Sequence, residues 1–227
     1  KYFQMSKTSS VRCLITAGPT QEFIDPVRFI SNPSTGKMGF ALAEAALKQG
    51  WSVDLVSGPV NLQEPDGAIL YPVVSAEDMY HQVDALFDVC DVCIMAAAVS
   101  DFTPIEYTEQ KVKKDTAKRT IHLAKTIDIL KTMGERKQSQ FVVGFAAESE
   151  NLQANAKLKL HSKNCDWVIA NQIGEEGIGF GSDNNTITLF KKDDTQETHG
   201  PTSKLALAQT IIQAIADTLE NTPSTEE

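Results

Sequence analysis

The 227-residue chain has no apolar run approaching the roughly 20 residues that a bilayer span needs. It also lacks the basic start and apolar centre of a signal peptide. Both absences lead to the expectation of a cytoplasmic protein with no membrane partner. Positive charge is in short supply, with 21 Lys and Arg against 30 Asp and Glu and a net charge of −9. A broad nucleic-acid footprint needs a basic face, so no nucleic-acid partner is expected. That balance still leaves room for a local basic pocket that takes a small anion.

Cysteine and histidine are equally sparse, four of each. Cys90 and Cys93 lie in "VCDVCIMAAAV", an apolar stretch that reads as a buried strand. Positions i and i+3 of a strand point to opposite faces. The pair is therefore expected to be two buried thiols and not a shared metal site. No histidine has metal or catalytic spacing, and no Gly-x-Ser-x-Gly elbow occurs. No metal ligands can be assigned. These absences exclude a covalent triad and leave an enzyme that binds and positions anions.

What the chain does contain is alternation. Apolar strands are expected at 11–18, 52–58, 91–99, 141–149 and 166–173. Helical spacing marks 37–50, 75–88, 151–164 and 202–220. Ser75 with acids behind it is a helix start, and Gly50 a helix stop. Alternating strands and helices imply a mainly parallel sheet covered on both faces, a Rossmann-like, doubly wound α/β fold. Residues 103–126 and 179–200 break the alternation. The first holds a short candidate strand in "TIHLAKT", and the second reads as a β excursion around "NTITLF". The expected layout is one domain over 5–220, a cloning remnant at 1–4, Met5 as the native start, and a frayed tail at 221–227.

Doubly wound sheets bind ligands at the carboxyl ends of their strands. The stretch "SNPSTGKMGF" (31–40) sits at such an end and looks like a phosphate loop. A Walker loop needs Gly-x-x-x-x-Gly-Lys-Ser/Thr, but Ser31 occupies the first glycine position and Met38 follows Lys37. The Gly-x-Gly-x-x-Gly dinucleotide pattern fails as well, because "GPTQEFIDP" holds a single glycine. A helix start survives both failures. Ser34 or Thr35 can cap it, and Gly36 and Gly39 allow an anion close to its amides. An ordinary capped helix is the plainer alternative.

Other candidates read two ways. Asn32 either orients a reacting carbonyl or makes a turn. Arg28 either pairs a phosphate or carboxylate or is a surface charge. Asp101 either holds ligand hydroxyls or an amine, or caps a turn. Lys111, Lys113 and Lys114 either close over a polyphosphate or form a solvated charge run. Lys159 and Lys163 share a helix face and repel unless an anion or water intervenes. Phe145 is either a base-stacking residue or core.

The blocks "ITAGPTQEFIDPVRFISNPSTGKMGFALAEAA", "AAAVSDF", "QKVKK", "VVGFAAES", "KNCDWVIANQI" and "GFGSDNNTITLF" closely resemble, in order, the phosphopantothenoylcysteine synthetase family of coenzyme A biosynthesis. The resemblance implies a magnesium-assisted ligase with no flavin. In such an enzyme CTP activates the carboxylate of 4′-phosphopantothenate as an acyl-cytidylate, and L-cysteine then displaces CMP. It implies catalytic roles for Asn32 and Lys111 and nucleotide contacts at Asp101, Phe145, Lys159 and Lys163, with Gly18 and Ala97 beside them. Ser34, Thr35 and Gly36 match the family's anion-binding helix start, and Arg28 is the substrate-binding candidate. A free-standing, homodimeric ligase is expected, because Met5 leaves no room for the decarboxylase half often fused ahead of it. Two other functions compete: an NAD(P)-linked Rossmann oxidoreductase and a nucleotide-binding regulator without turnover.

Overall fold

The computed structural model describes residues 10–111, 120–172 and 184–221. The main sheet has eight strands in the order β12-β11-β10-β9-β6-β1-β4-β5. These are β1 Arg12–Ala17, β4 Ser52–Ser57, β5 Ile69–Pro72, β6 Val92–Met95, β9 Phe141–Glu148, β10 Trp167–Gln172, β11 Asn184–Lys191 and β12 Gln196–Ser203. Two short ribbons stand apart from it, β2 Gln21–Phe23 with β3 Phe29–Ser31 and β7 Phe102–Pro104 with β8 Leu123–Lys125. The helices are α1 Lys37–Lys48, α2 Ala76–Phe87, α3 Ile129–Arg136, α4 Leu152–Ser162 and α5 Lys204–Asn221.

From β5 to β10 all pairings are parallel. β11 then runs antiparallel to β10, and β12 antiparallel to β11. The chain winds outward from β1 in both directions, so the order reverses between β1 and β6. A crevice opens at such a switch point, outside the carboxyl ends of the strands.

Both faces of the central strands are covered. β1 alternates its side chains between two cores: Cys13 and Ile15 join α1 and α5, while Leu14 joins α2, α3 and α4. All three are fully buried. A strand covered on both faces must be apolar at every position, as "CLITA" nearly is. α1 reaches its strand through small residues. A Cβ on Gly39 would lie 2.5 Å from the Cβ of Ala17, so this helix start sits directly on the end of β1.

Every strongly periodic element forms where expected, within a few residues. Six elements went unanticipated: β2 with β3, β5, β7, α3 and β12. The residues of β12, "QETHGPTS", are mostly exposed and carry no apolar alternation to reveal a strand.

The β excursion expected at 179–200 forms, where it is described, as the hairpin of β11 and β12, which extends the main sheet to its edge because Ile187, Leu189 and Phe190 are buried in its two cores. Two expectations are corrected. First, β6 begins at Val92, so Cys90 precedes the strand and the opposite-face argument does not apply. Cys90 and Cys93 enter the same core, with the Cys90 thiol donating to the Phe87 carbonyl at 3.2 Å. Second, neither Ser34 nor Thr35 caps α1. The N-cap is Gly36, at φ 77°, with no side-chain cap.

Candidate functional site

A cleft of about 810 Å³ opens at the switch point. Its wall is built from strand ends. Thr16 is next to last in β1, Ala96 to Val99 follow β6, Phe145 to Ala147 lie in the second half of β9, and Asn171 is next to last in β10. Its flanks come from the start of α1, the start of α3, one side of α4 and the first residue of α5. Residues distant in sequence meet here because parallel strands all deliver their carboxyl ends to one edge.

The cleft inverts the charge of the protein. Lys37, Lys125, Lys159, Lys163 and Lys204 lie on its wall against Asp101 and Asp128, in a chain whose net charge is −9. Cations gathered in a concave, partly desolvated site focus the field on an anionic ligand. Two of the lysines are held in place. The Lys159 ammonium donates to the Phe145 carbonyl at 2.7 Å. Burial drives its pKa below the ordinary lysine value, against the pull of Glu148. The Lys163 ammonium pairs with Asp128, which also caps α3 by accepting from the Lys131 amide at 3.0 Å. Burial raises the pKa of that carboxylate, but Lys163 and the helix amide outweigh it and hold it below the usual range.

Asn32 lies at the mouth of the α1 turn. Its side-chain amide nitrogen donates to the carbonyls of Ala98 and Val99, at 3.1 Å each. With two acceptors on one side, the nitrogen must be the atom that faces them. Both amide hydrogens are thereby engaged, and Oδ1 is the atom that Asn32 has to offer. The loop behind it is equally built. Thr20 Oγ1 accepts from the Ser100 amide at 2.9 Å, and the Thr20 carbonyl accepts from the Ser31 hydroxyl at 2.7 Å.

Of the anticipated site residues, Asn32, Ser34, Thr35, Gly36, Ala97, Asp101, Phe145, Lys159 and Lys163 are brought together on the cleft wall. Phe145 satisfies both of its readings, since it lines the cleft and packs against the core beside α1 and α5. Ser34 does contribute, with its hydroxyl accepting from the Gly36 amide at 3.3 Å, although it does not cap the helix. Gly18 stands behind the wall at φ 73°. A Cβ there would lie 2.8 Å from Val60 Cγ1, and one on Gly36 would lie 3.4 Å from Gly18 Cα.

Two anticipated residues lie elsewhere. Lys111 is exposed and is not on the cleft wall; Lys113 and Lys114 fall outside the described residues. Arg28 is on the turn of the β2–β3 ribbon, away from the cleft. Its guanidinium pairs with Asp25 at 2.9 Å, and the same buried carboxylate accepts from the amides of Val27 and Arg28 at 2.8 Å.

Sequence reasoning missed the start of α3, which brings Asp128 and Ile129, and it missed Lys204 and Asn185. "IDIL" has an Asp followed by a helical apolar pattern, the signature of an N-cap. Lys204 gave no such signal, because its place at the cleft depends on the direction of β12.

Residues 8–219 match the family of the DNA/pantothenate metabolism flavoprotein C-terminal domain. The chain is 48% identical over 204 residues to the coenzyme A biosynthesis bifunctional protein CoaBC of Bacillus subtilis (strain 168), covering 89% of this chain and 50% of that protein. It thus spans about half the length of the curated relatives it matches. The crystal structure of the C-terminal domain of a bifunctional CoaBC superimposes with a TM-score of 0.80 at 40% identity, over 93% of this chain and 96% of that one. A variant of Cab2 solved with phosphopantothenate-cysteine shares the fold, with a TM-score of 0.74 at 18% identity over 92% of this chain and 87% of that one.

Proposed function

The chain belongs to the DNA/pantothenate metabolism flavoprotein C-terminal domain family, and on that premise we propose that it is a phosphopantothenate–cysteine ligase of coenzyme A biosynthesis. The observation that carries the reading is the cationic cleft of an acidic chain, with Asn32 pinned at its mouth. A ligase that joins two polyanions needs such a site, because charge repulsion between substrates is its first obstacle.

In this reading a carboxylate oxygen of 4′-phosphopantothenate attacks the α-phosphorus of CTP. The bond to the bridging oxygen breaks, and pyrophosphate leaves with the electron pair. The amine of L-cysteine then attacks the acyl carbon, the bond to the nucleotide phosphate breaks, and CMP leaves while the amine proton passes to solvent. The product matches the molecule bound in the Cab2 relative. Such chemistry is mostly positioning and charge stabilisation, which is why no covalent nucleophile is required. Asn32 presents Oδ1, an acceptor, and so orients the attacking amine through its N–H. The lysines and the start of α1 receive phosphate oxygens. Lys111 would join them once the substrates are bound.

Magnesium would share the phosphate charge. Among the described residues no group of three His, Cys, Asp or Glu side chains could hold a metal. The fit is therefore to an ion carried mainly by the nucleotide phosphates, as is usual for magnesium, with Asp101 as the cleft carboxylate left to assist.

A homodimer belongs to the same reading. The two ribbons pack together, with the Thr108 amide donating to the Ile24 carbonyl at 3.1 Å. They leave Val27, Phe29, Phe102, Ile105 and Tyr107 between 44 and 62% exposed, an apolar surface that suits a second copy. A monomeric mass by sedimentation at micromolar concentration would refute it.

The test of function is to mix the protein with 4′-phosphopantothenate, magnesium and either CTP or ATP, and to follow pyrophosphate and nucleoside monophosphate. The ligase is expected to release pyrophosphate only with phosphopantothenate present, and the monophosphate only after cysteine is added. Nucleotide binding without either product would overturn the proposal.

A further inference from the structure

We infer that Thr20 is a positioning residue of the cysteine-transfer step: its hydroxyl and its backbone hold the carbonyls that aim Asn32. The inference rests on the ligase reading and adds to it a residue that stands behind the cleft wall. Thr20 is fully buried and does not line the cleft. In the β2–β3 ribbon Gln21 pairs with Ser31, so Thr20 and Asn32 are the next residues on its two arms. The Ser31 hydroxyl closes that end by donating to the Thr20 carbonyl at 2.7 Å.

Thr20 also grips the segment that follows β6, at two points. Its amide donates to the Ala98 carbonyl at 3.3 Å, and its Oγ1 accepts from the Ser100 amide at 2.9 Å. The span between these points carries both acceptors of the Asn32 amide, the carbonyls of Ala98 and Val99. The Ala98 carbonyl thus serves Thr20 and Asn32 together, which uses both of its lone pairs. A shift of this carbonyl is felt by both. Ser100 is buried, so its amide has no ready substitute for Oγ1. On the far side Thr126 completes the grip. Its hydroxyl donates to the Ser100 carbonyl at 2.6 Å, and its amide to the carbonyl of Asp101, a residue of the cleft wall, at 3.0 Å.

Thr20 is itself held from behind. The Ala98 amide donates to the Gly18 carbonyl at 2.8 Å, and the Gln21 amide to the Val74 carbonyl at 2.8 Å. A Cβ on Gly58 would lie 1.7 Å from the Pro19 oxygen, so no room is left between the end of β4 and the peptide ahead of Thr20. A residue fixed on these sides sets where Asn32 stands relative to the loop after β6. Chemistry that depends on positioning loses rate steeply when a group moves by about 1 Å, and a site is only as well placed as the residues that lock its side chains.

The Asn32 side-chain amide, recognised in NMR spectra of the full chain by its absence from Asn32→Ala, reads this without turnover. Its hydrogens should exchange slowly with water, because both are bonded to carbonyls. Thr20→Val keeps the shape and removes the hydroxyl. It should quicken that exchange about tenfold, the scale of one neutral hydrogen bond, and Thr20→Ser should restore it. In single-turnover assays Thr20→Val should slow delivery of the acyl group to cysteine by about the same factor. Combined with Asn32→Ala it should cost nothing further, because residues that act as one unit are not additive. Unchanged amide exchange in Thr20→Val, or losses that multiply in the double variant, would overturn the inference. Should Thr20→Val not fold, Ser31→Ala, which cuts the bond to the Thr20 carbonyl, decides by the same exchange measurement, and unchanged exchange there overturns it equally. Failure of the ligase reading is seen separately, as an Asn32 amide governed by Thr20 in a chain that makes no acyl-nucleotidylate.

Discussion

α1 and α2 both begin at the carboxyl edge of the sheet, yet their starts are built in opposite ways. At α2 the protein closes the start itself. Ser75 Oγ accepts from the Asp78 amide at 3.0 Å, Asp78 Oδ2 accepts from the Ser75 amide at 2.9 Å, and buried Glu22 accepts from the Ala76 amide at 2.8 Å. At α1 a left-handed Gly36 stands at the N-cap, and no side chain caps the turn. A helix leaves its first four amides without intrahelical partners. At α2 side chains satisfy several of those amides, whereas the start of α1 carries no side-chain cap and its first residues line the cleft. The difference teaches that two helix starts at one sheet edge can be finished in different ways, one closed by side chains and one left uncapped at a cavity.

The largest expected effect concerns the residue ahead of the open start. Asn32→Ala should still release pyrophosphate on first turnover but deliver the acyl group poorly to cysteine. Product formation should fall on the order of 10²–10³-fold, the scale of losing one preorganised polar contact. Quench analysis with and without cysteine measures it, and undiminished steady-state product would remove Asn32 from the mechanism.

The two helix starts can be set against each other directly. Gly36→Ala places a Cβ 2.8 Å from Val60 Cγ1 at a positive φ, a strain of about 1–3 kcal/mol. It should weaken nucleotide binding as well as lower the melting temperature. Ser75→Ala removes the cap of α2 and should cost about 1 kcal/mol of stability while nucleotide affinity stays put. Melting curves and nucleotide titrations on both variants decide; equal losses of affinity would erase the distinction.

The smallest effect is one of pH. Burial holds the Lys159 pKa below its ordinary value of 10.5. Between the lowered value and 10.5 the unfolded chain binds more protons than the folded one. Stability contributed by this group therefore rises with pH across that window. Nucleotide affinity should fall across the same window, because the ammonium is lost. Lys159→Met should flatten both trends, and titrations at stepped pH would show whether it does.

Legibility followed local period. Strands β1, β4, β6, β9 and β10 are nearly continuous apolar runs because both faces are covered, and α1, α2, α4 and α5 repeat at helical spacing. β2, β3, β5 and β7 were invisible because each is only three or four residues long. β12 was invisible because its side chains are mostly exposed and its pairing is made by backbone. At the site, "NPSTGK" marked the turn that opens α1 on the cleft wall, even though its capping residue was misread. The turn's glycine adopts a conformation that the sequence does not display.

The sequence alone determined the alternating fold class, the switch-point logic and the polar residues after each strand, because all of these follow from local spacing and residue chemistry. Only the tertiary structure decided that Arg28 and Lys111 stand off the cleft wall, that Asn32 spends its donors on Ala98 and Val99, and that Lys204 reaches the site. Each of those depends on which elements lie side by side, and that is set by strand pairing over long sequence distances, which no local pattern encodes.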